Sequence, residues 1–450
     1  MSETGTLVRG GHVLTSAQPD AIENGAVRIV GELIDAVGPW AHLRSRFPDD
    51  EVHGDRHSII TPGFINTHGH FSEALFTGIA EDFTLWEWFE AVINPTAPNH
   101  DYDMAYVGTL LAGIQMLRTG ITLASDMFVC DPADQPVTPG VVRALDELRL
   151  RGVVAFGAAD RRDATVSAIL EEHTALREAC EASHLSRFRV GIALLGAQSE
   201  ELFEQSVRLA TDHGSHIHLH EVREEVTAVR SATGRSPIEQ CAYLGLFTGP
   251  TIAAHCVWVD QNDRDILAEH EVGVAHNPVS NMILASGVCP VPALRRLGVA
   301  VGIGVDGPAS NDRQDMLEAI KLAVLLQRVD RLQATALSAR DALTMATIEG
   351  ARSLRLDDEL GSLEPGKQAD LVMFDGTSPA LANIHDPFQA VVYCAGPREV
   401  ADVWVAGSRS VANGKVTNVD PVDVVERSRP LATKLARRAG IDKHSLLARP

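Results

Sequence analysis

Residues 59–70 read Ile59-Ile60-Thr61-Pro62-Gly63-Phe64-Ile65-Asn66-Thr67-His68-Gly69-His70, an apolar run that ends in two histidines spaced two apart. In extended chain, residues i and i+2 project to the same face, so both imidazoles can grip one ion. Runs of the same kind recur at Ile121–Ser125, Val153–Ala158, Arg189–Leu195, Ser215–His220, Thr251–His255, Val272–His276 and Val299–Asp306, which with Ile59–Asn66 makes eight. Longer segments of helical character separate them, among them Tyr102–Arg118, Glu200–His213 and Asp312–Arg328. Strand–helix alternation implies parallel strands joined by crossover helices. Eight repeats point to an α/β fold closed as a TIM-type (β/α)8 barrel. The rival, a doubly wound open sheet, calls for a G-x-G-x-x-G turn after its first strand, and none is there. Gly302-Ile303-Gly304 lies inside the last run and reads as close packing.

Outside this alternation both chain ends are strand-rich. Thr6-Leu7-Val8-Arg9 and Ala26-Val27-Arg28-Ile29-Val30 precede it, while Ala369–Phe374 and Asp402–Gly407 follow it, all broken by turns. The ends are therefore expected to meet in one small β-sandwich domain. The division is 1–60 and 361–420 for that domain, 61–360 for the barrel, and 421–450 for a charged, helix-like peripheral tail.

Composition narrows the partners. The chain has 450 residues, 45% hydrophobic, with 39 basic against 60 acidic side chains and a formal charge of −21. Such an acidic balance disfavours nucleic acid and anionic membrane, which both depend on cationic contacts. The start Met1–Thr6 lacks the basic and apolar regions of a signal peptide. Leu297–Val305, bounded by Arg296 and Asp306, is far short of the ~18 apolar residues of a membrane span. Six cysteines without a C-x-x-C pair read as reduced, mostly buried thiols. A soluble, cytoplasmic protein is expected.

The chemistry lies in where polar residues fall within the alternation. His68 and His70 close the first run, His218 lies in the fifth, His255 ends the sixth, His276 the seventh and Asp306 the eighth. The βα loops of a barrel open at its C-terminal mouth, where these side chains converge. Packing alone is a poor explanation, because each buried imidazole needs a partner. His216 and His220 read as lining or supporting residues, and His276 as a loop hydrogen bond or a substrate contact. Two-metal barrels commonly bridge their ions through a lysine or carboxylate on the fourth strand. Here that run, Arg189–Leu195, has neither, so one divalent ion is favoured.

The stretches PGFINTHGH (62–70), HLHE (218–221), AHCVW (254–258), HNPVSNMILASG (276–287), GVDGPASND (304–312) and GSLEPGKQADLV (361–372) resemble the amidohydrolase superfamily. The resemblance is to its mononuclear aminohydrolase branch, which includes methylthioadenosine/S-adenosylhomocysteine deaminases, guanine and 8-oxoguanine deaminases, cytosine deaminases and s-triazine hydrolases. It implies metal ligation by His68, His70, His218 and Asp306. It also implies that His255 holds the water the ion activates, and that Glu221 handles the substrate's ring nitrogen and leaving group. Zinc suits three imidazoles and a carboxylate, and iron fits the same donors. The resemblance further implies a homodimer.

Departures from the branch bear on the substrate. Nucleoside deaminases carry a ribose-binding glutamate where Ile93-Asn94-Pro95-Thr96-Ala97 here ends in alanine. Their fourth-strand P-H-A-P element is replaced by Leu194-Leu195-Gly196-Ala197-Gln198. Both losses argue against a ribosylated substrate. Glu73 stands where 8-oxoguanine deaminases have glutamine, and either meets an amine-bearing substrate or faces its loop. Trp86 and Trp88, with Phe83 and Phe89, either stack on a flat ring or pack as a lid. The expected activity is hydrolytic deamination of a small, non-ribosylated aromatic heterocycle: a purine, pterin, pyrimidine or s-triazine. The alternatives are another leaving group at the same centre (triazine chloride or alkylamine, aryl-urea or amide) and a non-catalytic barrel serving as a binding module.

Overall fold

The computed structural model describes residues 4–16, 18–79, 81–160 and 164–441. Residues 1–3 of the N-terminal reading and 442–450 of the expected tail lie outside it. Eight parallel strands form a closed barrel: Phe64–Gly69, Ile121–Phe128, Arg151–Ala158, Ser186–Ile192, Ser215–Leu219, Thr251–His255, Gly273–His276 and Val301–Ile303. Each pairs with the next, and the eighth returns to the first. All eight runs read from the sequence are found. Crossover helices cover the outside, so the second and third strands are buried at every position, which is why they read as continuous apolar runs and not as alternations.

Closure is the least regular seam. Strands eight and one share one register pair, Ile303 with Asn66, beyond which Val305 N–H donates to the Asn66 side chain (2.9 Å) and Asp306 N–H to His68 O (3.0 Å). The ladder is thus broken by a side-chain bond at Val305 and resumes in the backbone bridge of Gly69 with Asp306, which sets His68 and Asp306 face to face.

The chain ends build one sheet of nine strands, as the strand-rich termini implied. Its path runs Lys415–Val416, Ser408–Ala412, Val400–Val405, Leu371–Phe374, Ile59–Pro62, Thr6–Val13, Ile22–Val30 and Leu33–Pro39, with Glu51–His53 pairing to Thr6–Val13. Adjacent residues face opposite sides. Leu7 packs with Leu43 and Phe47 at the helix Trp40–Arg46, whereas Val8 joins Ile60, Leu371 and Trp404 on the other face. A buried ion pair, Arg151 to Asp370 at 2.9 Å, ties this sheet to the barrel.

The first run differs from the reading in one respect. Ile59–Asn66 is not one barrel strand: Ile59–Pro62 belongs to the end-built sheet and only Phe64–Gly69 to the barrel. Gly63 is the joint. Its N–H donates to Asp370 O (2.9 Å), and a Cβ there would collide with the Thr122 side chain, so only glycine lets the chain pass between the sheets. At the other end, Pro421–Arg438 is a helix laid against Tyr102–Arg118. Among the described residues no helix is long and apolar enough to cross a membrane, and five of the six free cysteines are buried.

Candidate metal centre and catalytic cavity

His68 and His70 project from the first strand into the barrel mouth, and His218, Asp306 and His255 converge on them from the fifth, eighth and sixth strands. All five are at least nine-tenths buried. His70 Nδ1 lies 2.7 Å from Met127 O, and His218 Nδ1 lies 2.7 Å from Ala193 O. A ring nitrogen facing a carbonyl must carry its proton, so in the neutral rings that could ligate an ion both Nε2 atoms are the lone pairs. Those two Nε2 atoms are 3.1 Å apart. Two lone pairs that close repel unless a cation lies between them. His68 Nε2 is buried without a partner and 3.4 Å from Asp306 Oδ1, which is 3.5 Å from His70 Nε2. The donor set of His68, His70, His218 and Asp306 therefore fits a divalent ion with nitrogen and oxygen ligands.

The electrostatics agree with that fit. Burial, opposed by Asp306, pushes the His68 imidazole down to about 4, and burial with neighbouring histidines holds His218 well below its ordinary value. Both are neutral and free to ligate. Burial works against the Asp306 charge, but His68, His255 and His70 hold its carboxyl well below the usual range. Behind the ligands, His216 Nε2 sits 2.7 Å from His68 Nδ1 and orients that ring, the supporting role read for it. His220 Nδ1 lies 2.9 Å from Trp258 O and braces the following loop.

Backbone strain gathers here. His220, His255, Cys256 and Asp306 have φ of 57°, 73°, 47° and 60°, the left-handed region that non-glycine residues rarely adopt. These turns end the strands abruptly and aim their side chains across the mouth, a cost typical of sites whose geometry matters. His255 Nδ1 is fixed 2.8 Å from Asn281 Oδ1, leaving Nε2 3.4 Å from Glu221 Oε2 and 3.9 Å from Asp306 Oδ2. Burial and the Asp306 charge push the Glu221 carboxyl well above its ordinary value, which favours its protonated form. Ser286 Oγ approaches its Oε1 at 3.4 Å.

These groups form the floor of a partly enclosed cavity at the barrel mouth. Leu85, Trp88, Phe89, Ile93, Val129 and Leu284 make an apolar wall above it. Glu73 lines the cavity too. It accepts hydrogen bonds from Ala309 N–H (3.1 Å) and Ser310 Oγ (3.2 Å), and burial pushes its carboxyl up to about 7. Of the four substrate contacts expected from the sequence, Glu73 and Trp88 reach the cavity and two do not. Trp86 precedes Trp88 by two residues on the helix Leu85–Trp88, which turns it to the opposite side, 37% exposed against Phe89. His276 is wholly buried outside the cavity lining, near enough to His255 to feel its charge.

Sequence reasoning passed over Asn281 and Glu225. Glu225 accepts the backbone N–H groups of His220 (3.1 Å) and Glu221 (2.9 Å), pinning the strand end that carries Glu221. Its position four residues after Glu221, in the first turn of the helix Arg223–Thr233, was the available signal. Asn281 lies in the quoted HNPVSNMILASG stretch, but nothing in its spacing pointed to His255.

A family model described as the amidohydrolase family matches residues 59–415. The chain belongs to the amidohydrolase family. Among curated relatives, a 5'-deoxyadenosine deaminase of Methanopyrus kandleri is 37% identical over 86% of this chain and 89% of its own length. A 5-methylthioadenosine/S-adenosylhomocysteine deaminase of Symbiobacterium thermophilum is 36% identical over 96% and 99%. Among solved structures, a zinc-bound adenosine deaminase from Xanthomonas campestris superposes with a TM-score of 0.89 at 28% identity, covering 97% of this chain and 99% of that one. The zinc complex of an atrazine chlorohydrolase from Arthrobacter aurescens shares the fold, with a TM-score of 0.87 at 24% identity over 95% and 100%. This amidohydrolase is thus a metal-dependent enzyme of carbon–nitrogen bonds other than peptide bonds, among relatives that deaminate heterocycles.

Proposed function

We propose that this amidohydrolase removes the exocyclic amine of an aminopurine-like heterocycle carried as the free base, with zinc held by His68, His70, His218 and Asp306. The observation that carries the reading is Glu221: a buried carboxyl held well above its ordinary range, 3.4 Å from His255 and beside a complete set of candidate donors. A leaving group that departs as ammonia needs such a proton donor, whereas chloride does not. The same completeness speaks against a non-catalytic barrel.

A divalent ion held by those residues would lower the pKa of water towards ~7 and so would supply a nucleophile at neutral pH. Asp306 is placed for two tasks. Its Oδ1 faces His68 and His70, and its Oδ2 faces His255, so one oxygen would serve ligation and the other would accept the water's proton. His255, fixed by Asn281, orients the attacking oxygen. As the new C–O bond forms, Glu221 gives its proton to the ring nitrogen, which would otherwise carry the charge. Asp306 returns its proton to the amine. The C–N bond breaks, ammonia leaves, and the added hydroxyl passes its proton back to Glu221 as the carbonyl forms.

Ribose is disfavoured by the wall. Among the described lining residues, the polar side chains cluster at the metal end, and Ala97 is buried outside the lining. Sugar hydroxyls set against Leu85, Trp88 and Ile93 would be left unpaired. A second reading, deamination of a 5'-modified adenosine, is favoured by the names of the curated relatives. The assay that separates them is ammonia release by zinc-loaded protein from adenine, guanine, 8-oxoguanine, isoxanthopterin, cytosine and melamine, against 5'-deoxyadenosine and methylthioadenosine. Turnover of a free base with none of the nucleosides is the expected result. Preference for a nucleoside would replace the first reading by the second.

A further inference from the structure

The apolar wall has a backing that the chemistry of the floor does not use. Leu85, Trp88, Ile93 and Leu284 belong to one buried cluster, and the far end of the chain completes it: Leu435, in the helix Pro421–Arg438, is 0% exposed within that cluster. The same helix is tethered by charge to the end of the wall segment. Lys434 Nζ and Arg438 Nη1 lie 2.8 and 3.0 Å from Asp101 Oδ2, and Arg438 Nη1 also donates to Asn99 O (3.2 Å). Asp101 in turn caps the helix Tyr102–Arg118 through Met104 N–H at 3.1 Å.

Between those anchors the wall contains a π-helical turn, Phe89–Ile93, of which Phe89 and Ile93 line the cavity. Such turns are rare inside helices and concentrate at functional sites. Thr96 Oγ1 donates to Val92 O (2.7 Å) from within the segment. Asn99 Nδ2 donates to Pro95 O (2.9 Å) and Asp131 N–H to Ala97 O (2.9 Å), and from outside the C-terminal helix packs on Asn94–Thr96 and on Tyr102–Arg118.

We propose that the C-terminal helix acts through Leu435 as a positioning element for the substrate wall, setting where Trp88 and Ile93 stand and thereby how large a substituent on the heterocycle is admitted. Leu435 touches no reacting atom. Its effect on substrate choice rests on the deaminase reading given above, whereas its effect on the wall does not.

The test uses full-length, zinc-loaded protein with Leu435→Ala and Leu435→Met, read by hydrogen exchange and by steady-state kinetics on adenine and 5'-deoxyadenosine. In Leu435→Ala, amide protection over residues 85–99 should fall about tenfold, with residues 64–70 and the zinc content unchanged. KM for the preferred substrate should rise roughly five- to twentyfold while kcat stays within about twofold, and the ratio of kcat/KM between the two substrates should move. Leu435→Met should restore both readouts. Unchanged exchange over 85–99 overturns the proposal, as does a fall in kcat that tracks lost zinc. If Leu435→Ala does not fold, Leu435→Val tests the same prediction with a smaller expected shift. Wild type that releases no ammonia from any heterocycle, combined with the expected loss of protection, refutes the deaminase reading and leaves the positioning role standing.

Discussion

The floor and the wall of the one cavity are held in place by different physics. The floor is a set of strand ends. His70 and His218 are fixed by carbonyls of neighbouring strands or their loops at 2.7 Å, His68 by His216, and His255 by Asn281, so each of these imidazoles is oriented by a hydrogen bond of its own. The wall, Leu85 to Ile93 with Leu284, is fixed by packing and a turn of π helix. Directional bonds on a closed barrel give a geometry that chemistry can rely on. Packing gives a surface that can be remodelled without disturbing the reaction.

That separation can be broken from the floor upward. Asp306→Asn should have the largest effect: bound zinc falls well below one per chain, and kcat/KM drops by more than about ten-thousandfold, since the ion's effect on water is lost with it. Metal analysis of the purified variant checks this, and full zinc content would remove Asp306 from the ligand set. Glu221→Gln should keep zinc yet lose about a hundred- to ten-thousandfold in kcat, the range of a proton-transfer catalyst. A fully active variant would mean that another group supplies the proton.

Smaller effects sharpen the contrast. His216→Phe removes the bond that orients His68 and should weaken zinc affinity about ten- to a hundredfold, measured by competition with a chelator. Wild-type affinity would make that contact incidental. At the other end of the scale, Trp88→Ala should raise KM roughly tenfold through lost ring contact while kcat and zinc content hold. A matching loss of kcat would show that wall and floor are coupled.

The floor was far more legible than the wall. Residue type and spacing singled out an H-x-H at a strand end and histidine or aspartate at the ends of the sixth to eighth strands, while the roles of His218, Glu221 and His255 came from the family resemblance. Strand periodicity converts that spacing directly into direction. The supports were harder to see. Asn281 and Glu225 act because loop and helix bring them against His255 and against the backbone of Glu221, and neither contact follows from a period. Trp86 and Trp88 looked equivalent as sequence, and only the turn between them sends one into the cavity and the other towards solvent. The residues 421–450 read as peripheral because charge dominates their composition, yet Leu435 is sealed inside the wall's cluster.

The sequence by itself determined the barrel, the meeting of the chain ends in one β layer, and the placing of histidines and an aspartate at the strand ends. Those depend on local rules: alternation of strand and helix, apolar runs of the right length, and side chains that only a metal site reconciles. Tertiary structure alone decided that Gly63 parts the two sheets, that His276 stays outside the cavity, and that the last helix stands behind the substrate wall. Each of these depends on what lies across from a residue in space, and an apolar side chain fits many neighbours equally well until the fold chooses one.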